Sequence, residues 1–269
     1  AKLTDTRGIT LRSIDQQRRT RITTAAQAND FADPSRWDAL PRAALVLAGL
    51  APHDSRASLK PWLDALGGGL DITLFSAVPK GSGLGTSSVL GAAMLACLAR
   101  IVGEQVTTDQ LIARTSMLEQ LMTTGGGWQD QVGGITPGVK AVRTQPGGDQ
   151  TPSVQWGVFD RAPDSAFRRR LLLYYTGYQR MAKNILHNVV SSYLRRDANT
   201  LAVVDELKRL AESMKRSRDA RDADGFGRGV EAYWSLKKRI DPGSTNAKIE
   251  AVLDRVGDEM KGTVLHGAG

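Results

Sequence analysis

The chain has 269 residues, 41% of them hydrophobic and 24% charged, the balance of a soluble globular protein with one large core or two smaller ones. A single cysteine excludes a disulfide within the chain and fits a cytosolic setting, and the longest apolar run, residues 89–99, is too short to span a bilayer. The formal net charge is +8, but the basic residues are dispersed and aromatics are only 6%, so an anionic small substrate is a better use of that charge than nucleic acid.

The opening residues, AKLTDTRG, are polar, with neither a signal-peptide core nor an initiator Met, so the chain reads as an internal piece of a longer one. Residues 9–16 alternate apolar and polar side chains and predict a strand. Residues 41–50 and 61–66 read as short helices, and 70–78 as a second strand with Leu70, Ile72 and Leu74 on one face, stopped by Pro79. A helix apolar on nearly all sides follows at 88–102, and another, capped by Thr107 or Thr108, runs to Leu121. Residues 123–142 hold the densest glycine stretch, and 171–175, LLLYY, read as a central strand ended by Thr176 and Gly177. Helical spacing then dominates, at 185–194, through Leu201, Val204, Leu207, Leu210 and Met214, and at 225–240 and 249–260. Strands mixed with helices, followed by a largely helical half, predict a two-domain α+β protein divided into residues 1–165 and 166–269.

Two segments carry chemistry. The first is PKGSGLGTSSVLGAAMLA, residues 79–96, where glycines at 81, 83 and 85 precede hydroxyls at Thr86, Ser87 and Ser88. A Walker loop would need Lys where Thr86 stands, and a dinucleotide fingerprint would need Gly there. Strand, glycine turn and buried helix nonetheless make an anion site, because N–H groups and dipole at a helix N-terminus favour phosphate. The same letters also serve a plain turn before a hydroxyl-capped helix. The second segment is GGGWQDQVGG, in which Asp130 is the one carboxylate, eleven residues after Glu119 on the preceding helix. Glycines this dense imply a backbone that packs against a ligand, although a structural turn is the competing reading, and a solvated surface charge is the competing reading for Glu119. Phosphoryl transfer uses such a set: oxygen ligands for Mg²⁺ and a carboxylate to take the proton of the attacking hydroxyl. The histidines, His53, His187 and His266, share no metal-ligand spacing.

PKGSGLGTSS resembles the second motif of the GHMP kinases, and the helical Glu followed by the Asp of WQDQ resembles that family's magnesium ligand and catalytic aspartate. Within the superfamily, LEQLMTTGGGWQDQVGGITPGVK, LLLYYTGYQRMAKNIL and YWSLKKRIDPGS are similar to the L-fucokinases, which include the kinase half of enzymes fused to a GDP-fucose pyrophosphorylase. The resemblance runs from Ile9 to Gly269, with both ends trimmed relative to the family's first and third motifs. It implies a first domain with a left-handed βαβ unit and a ferredoxin-like second domain. It also implies that Lys80, Gly81, Ser82, Gly83, Leu84, Gly85, Thr86, Ser87 and Ser88 hold ATP, that Ser87 and Glu119 bind Mg²⁺, and that Asp130 is the base. Gly126, Gly127, Trp128 and Gln129 would line the sugar pocket, and Thr176 and Gly177 would approach the reacting centre. Arg180 and Lys183 would either meet phosphate or be exposed basic residues. The implied reaction is ATP-dependent phosphorylation of the anomeric hydroxyl of L-fucose, in the cytoplasm, with a nucleotidyltransferase fused or cooperating and with neither nucleic acid nor membrane as partner. The alternatives are a heptose 7-phosphate kinase of the same superfamily, whose members share the QDQ segment, and a non-catalytic regulator that binds sugar and ATP. Retention of both Glu119 and Asp130 argues against the regulator.

Overall fold

The computed structural model describes residues 1–78, 81–122, 127–148, 151–156, 167–177 and 182–266. By its packing the chain divides into two units, residues 1–80 with 84–136, and residues 81–83 with 137–269.

The first unit is built on a four-stranded sheet of β1 (Lys2–Thr4), β2 (Ile9–Ser13), β3 (Arg18–Ile22) and β4 (Gly69–Leu74), in spatial order β1-β4-β2-β3. β2 and β3 form an antiparallel hairpin, with Ile9 opposite Ile22. Three helices, α1 (Ala25–Ala28), α2 (Ala39–Leu47) and α3 (Lys60–Ala65), then lead to β4, which runs parallel to β2 with Leu11 opposite Ile72. The period of two sorts the side chains: Ile9, Leu11, Leu70, Ile72 and Leu74 are buried, while Arg12 and Asp71 pair at 2.9 Å on the other face. Both strands end sooner than their apolar letters predict. Ser13 opposite Leu74 is the last rung, closed by the Ile14 N–H donating to Leu74 O at 2.9 Å, and beyond it Ile14 and Phe75 are about 60% exposed.

Three further helices complete this unit: α4 (Thr86–Ile101), α5 (Thr108–Leu121) and α6 (Gln129–Ile135). α5 begins in a capping box, the Thr107 hydroxyl accepting from the Gln110 N–H and the Gln110 side chain accepting from the Thr107 N–H. α4 is more one-sided than its composition predicts: Gly91, Met94, Leu95 and Leu98 are buried with α2, α5 and the sheet, whereas Val89 is 43% exposed. Gly91 explains how closely α4 and α5 approach. A Cβ there would lie 2.9 Å from Leu118 Cδ2 and 3.5 Å from Leu40 Cδ1. Glycine inside a helix costs about 1 kcal/mol relative to alanine, offset by the fully buried Leu118, a side chain worth about 1.5–3 kcal/mol of transfer free energy. Because residues three apart share a helix face, the face of α4 that receives Leu118 at Gly91 also presents Ser88 to the neighbouring Glu119.

The second unit contains an antiparallel pair, β5 (Lys140–Arg143) and β6 (Ser153–Trp156), and the helices α7 (Ala182–Leu194), α8 (Ala198–Asp219), α9 (Ala223–Ile240) and α10 (Ala247–Val256). Side-chain caps start three of them: Asp197 accepts from Thr200 N, Asp222 from Gly225 N, and Asn246 from Lys248 N and Ile249 N, at 2.8–3.0 Å. Val203, Trp234 and Ile249 are their most buried apolar positions. Among the described residues, the expected central strand at 171–175 pairs with no other strand. After a 3₁₀ turn at Arg168–Arg170, Leu171 is extended, the run lies outside any described ladder, and Leu171 to Tyr175 are 51–75% exposed. An apolar run shows that a segment favours burial; it does not supply the neighbouring strand that a ladder needs. The last helix also closes early, at Val256, where a 3₁₀ turn over Gly257–Glu259 takes over. Among the described residues, no helix is long and apolar enough to cross a membrane.

The notch at Gly91 yields a prediction. Gly91→Val should destabilise the first unit by about 1–3 kcal/mol through overpacking against Leu118, read as a lower denaturant midpoint. An unchanged midpoint would mean that α4 and α5 separate freely.

Candidate active site

The glycine loop enters α4 through three left-handed residues, Gly81, Gly83 and Gly85, with φ of +76°, +74° and +65°. Gly85 is the N-cap and has no side chain to offer the first-turn N–H groups, so the positive end of a 16-residue helix faces outward without a side-chain cap. The position is tight as well as left-handed. A Cβ on Gly85 would sit 3.2 Å from Asp130 Cβ and 3.4 Å from its Cγ, so the end of the loop packs directly on the acid of α6.

Beneath this loop, three helices converge on one carboxylate. Glu119, near the end of α5, accepts from Ser88 Oγ of α4 at one oxygen and from Gln131 Nε2 of α6, at 2.7 Å, at the other. Burial pushes the Glu119 carboxyl above the usual range; the Ser88 donor opposes that, the Asp130 charge adds to it, and the Gln131 donor opposes it again. Asp130 keeps exposed surface, yet the protein packed around it strips enough hydration to raise its pKa too. It stands in the first turn of α6, where the helix dipole favours a negative charge. Two carboxylates therefore sit within electrostatic reach of each other at the head of α4, both pushed toward protonation, a common signature of functional sites.

The other residues singled out in the sequence distribute as follows. Thr86, Ser87 and Ser88 form the first turn of α4; Ser87 is exposed and Ser88 is 1% exposed. Trp128 is the N-cap of α6, with Gly127 before it and Gln129 after it, both exposed. Thr176 and Gly177 belong to the second unit, as do Gly81, Ser82 and Gly83, and Lys183 lies in α7. Lys80, Gly126 and Arg180 lie outside the described residues. Sequence reading missed one participant and misjudged another's partner. Gln131 was passed over beside Asp130, though one step along a helix turns a side chain about 100°, from the open side to the buried one. Ser88 was assigned to phosphate, whereas its hydroxyl is bonded to Glu119. Among the described residues, no group of three or more His, Cys, Asp or Glu is arranged to hold a metal ion by itself.

Residues 56–138, which hold Gly85, Ser88, Glu119, Asp130 and Gln131, match the model of the GHMP kinases N terminal domain. The chain belongs to the GHMP kinase superfamily. This GHMP chain is 38% identical over 264 residues to the L-fucokinase/L-fucose-1-P guanylyltransferase of Bacteroides fragilis, covering 97% of this chain and 28% of that protein. It is 35% identical over 240 residues to the bifunctional fucokinase/GDP-fucose pyrophosphorylase of Arabidopsis thaliana, covering 88% and 21%. The chain thus spans about a quarter of the length of the curated relatives it matches. Among solved structures, a mevalonate kinase aligns with all of the chain and 77% of its own at a TM-score of 0.64, and the galactokinase of Lactococcus lactis, complexed with galactose, with 74% of its own at 0.63. At 14% identity, those two show that the fold is that of the GHMP kinases.

The like-charge pair has a pH consequence. A carboxyl raised in the folded state binds more protons there than in the unfolded chain, so its stabilising contribution is present at low pH and lost as pH rises through the raised value. Wild-type melting temperature should therefore fall relative to that of Asp130→Asn as pH rises above the ordinary Asp value of 3.8 toward about 7. Comparison with the variant cancels the titrating groups that do not sense Asp130, and leaves Asp130 together with its effect on Glu119; parallel curves would remove the raised Asp130 from the account.

Proposed function

We propose that this chain is the kinase region of an ATP-dependent sugar kinase that phosphorylates the anomeric hydroxyl of L-fucose, giving L-fucose 1-phosphate. The observation that carries the proposal is the carboxylate pair at the head of α4: Glu119 held by Ser88 and Gln131, and Asp130 packed under the last glycine of the loop. The choice of sugar rests on the L-fucokinase relatives, whose similarity spans 97% and 88% of this chain.

Phosphoryl transfer asks a protein mainly for positioning and charge compensation. Gly85 and the first turn of α4 supply N–H groups and a positive dipole end for the phosphates of ATP. Asp130 accepts the proton of the anomeric hydroxyl as that oxygen bonds to the γ-phosphorus and the bond from that phosphorus to the β,γ-bridging oxygen breaks, releasing ADP. Its raised pKa brings it nearer the operating pH and makes it a stronger base than a solvated aspartate. Trp128 offers an apolar ring edge at the start of the same helix, and Gly127 and Gln129 flank it on the exposed side where a sugar would lie.

The donor chemistry fits Mg²⁺. Glu119, Asp130 and the hydroxyls of Ser87 and Ser88 are all hard oxygen donors, and Mg²⁺ is commonly held by one or two carboxylates together with substrate phosphates. Glu119 and the exposed Ser87 are the ligands we assign; Ser88, whose proton is directed at Glu119, orients that carboxylate. When bound, the ion neutralises charge on the β- and γ-phosphates. We further propose that this chain works with a nucleotidyltransferase, as in the two bifunctional relatives.

The protein should consume ATP in a coupled assay with L-fucose and yield L-fucose 1-phosphate, with weaker turnover on related hexoses. Turnover on heptose 7-phosphate in place of L-fucose would overturn the sugar assignment, and ATP binding without turnover of any sugar would overturn the enzyme. Asp130→Asn should lower kcat by roughly 10²–10⁴ while ATP affinity stays near wild type. Retention of more than about a tenth of wild-type turnover would remove Asp130 as the base.

A further inference from the structure

We propose that Gln131 is a positioning residue of this site, whose side-chain amide clamps the Glu119 carboxylate in its metal-binding pose. The inference rests on the reading above only in taking Glu119 as a Mg²⁺ ligand.

Gln131 is 1% exposed, and its two amide atoms fare differently. Nε2 donates to Glu119 Oε2 at 2.7 Å, whereas Oε1 is buried without a hydrogen-bond partner. A buried acceptor left unmade subtracts from stability. An aliphatic side chain of the same length would fill the space without that loss, so the half of the amide that earns its burial is the donor. Only one orientation of the amide puts a donor on the carboxylate; the other would face oxygen with oxygen.

Three features suit this donor to a metal ligand. It is neutral, so it fixes the Glu119 carboxylate without cancelling the charge that a cation needs, as a lysine or arginine in its place would. It follows Asp130 directly on α6, so the backbone that carries one carboxylate also grips the other and fixes the spacing of two like charges that would otherwise drift apart. And it completes a two-sided hold: Ser88 from α4 takes Oε1 of Glu119, Gln131 from α6 takes Oε2. Groups that orient a ligand from behind in this way shift metal affinity or activity by about 10–100-fold when removed.

Gln131→Met tests the proposal, because it keeps the length of the side chain and deletes both the donor and the unpartnered oxygen. The melting temperature should hold or rise. Mn²⁺ affinity, followed by electron paramagnetic resonance with ADP present, should weaken by about 10–100-fold, and kcat should fall in proportion and recover partly as Mg²⁺ is raised. In the double variant with Glu119→Gln, Mn²⁺ affinity should be no weaker than in Glu119→Gln alone, since both act on one ligand. Gln131→Asn, with a retracted amide, should repeat the Mn²⁺ loss if Gln131→Met folds poorly. A lower melting temperature with wild-type Mn²⁺ affinity in both variants would reduce Gln131 to a packing residue. A wild-type chain that binds Mn²⁺ no better with ADP than without it would overturn the clamp by removing its ligand. Failure to phosphorylate L-fucose would overturn only the sugar kinase reading, because the Mn²⁺ series is read without sugar.

Discussion

Two carboxylates that repel each other are held at the head of one helix, and much of the first unit serves to keep them there. Glu119 comes from the end of α5 and Asp130 from the start of α6; burial disfavours the charge of both, and the Asp130 charge adds to the load on Glu119. Such a pair survives only if packing elsewhere over-determines it. The sheet and α2 provide the base, Leu118 locks α5 to α4 at the Gly91 notch, and the Ser88 and Gln131 donors meet Glu119 from opposite helices. The site is thus an electrostatic load carried by an apolar frame, in keeping with the trade between stability and activity that such sites show.

The Gly85–Asp130 contact adds a mechanical coupling. A residue with a side chain at 85 would meet two penalties at once: a left-handed backbone, costing about 1–2 kcal/mol, and a methyl pressed on the carboxylate-bearing side chain. The end of the loop and Asp130 are therefore packed too closely for a side chain to stand between them.

The sequence was most readable where local physics decides the outcome. Alternation at Ile9 and Leu11, a helix capped at Thr107 or Thr108, and the three- and four-residue steps from Leu201 to Met214 each need only neighbours along the chain, and the structure has a strand, a Thr107 cap and α8 at those places. It was least readable where the outcome depends on a partner distant in sequence. The strand at 70–78 stops at Leu74 because β2 stops opposite it, and 171–175 has an apolar composition without a described partner. The candidate site shows the same division. Glycine spacing and the isolated acid in GGGWQDQVGG drew attention to Gly85 and Asp130, which do lie in contact. The choice of Ser88 over Ser87 beside Glu119 depends on how α4 is rotated against α5, and the part played by Gln131 depends on which side of a short helix faces inward. Neither rotation is written in the letters of one segment.

The run from Leu171 to Tyr175 bears on how this protein behaves in a concentrated solution. Five exposed, uncharged residues of strand-forming character make a short adhesive tape, the kind of window through which separate molecules zip together. Immediately before it stand Arg168, Arg169 and Arg170, all exposed, with Arg170 also reaching Asp224 at 2.8 Å. Positive charge fused to one end of such a tape disfavours its parallel, in-register alignment with a second copy, because the two sets of like charges would meet. That protection is electrostatic and reaches no farther than the screening length, which shrinks from about 10 Å at 0.1 M salt to about 3 Å at 1 M. Added salt therefore shortens the reach of that guard while leaving the exposed apolar run unchanged.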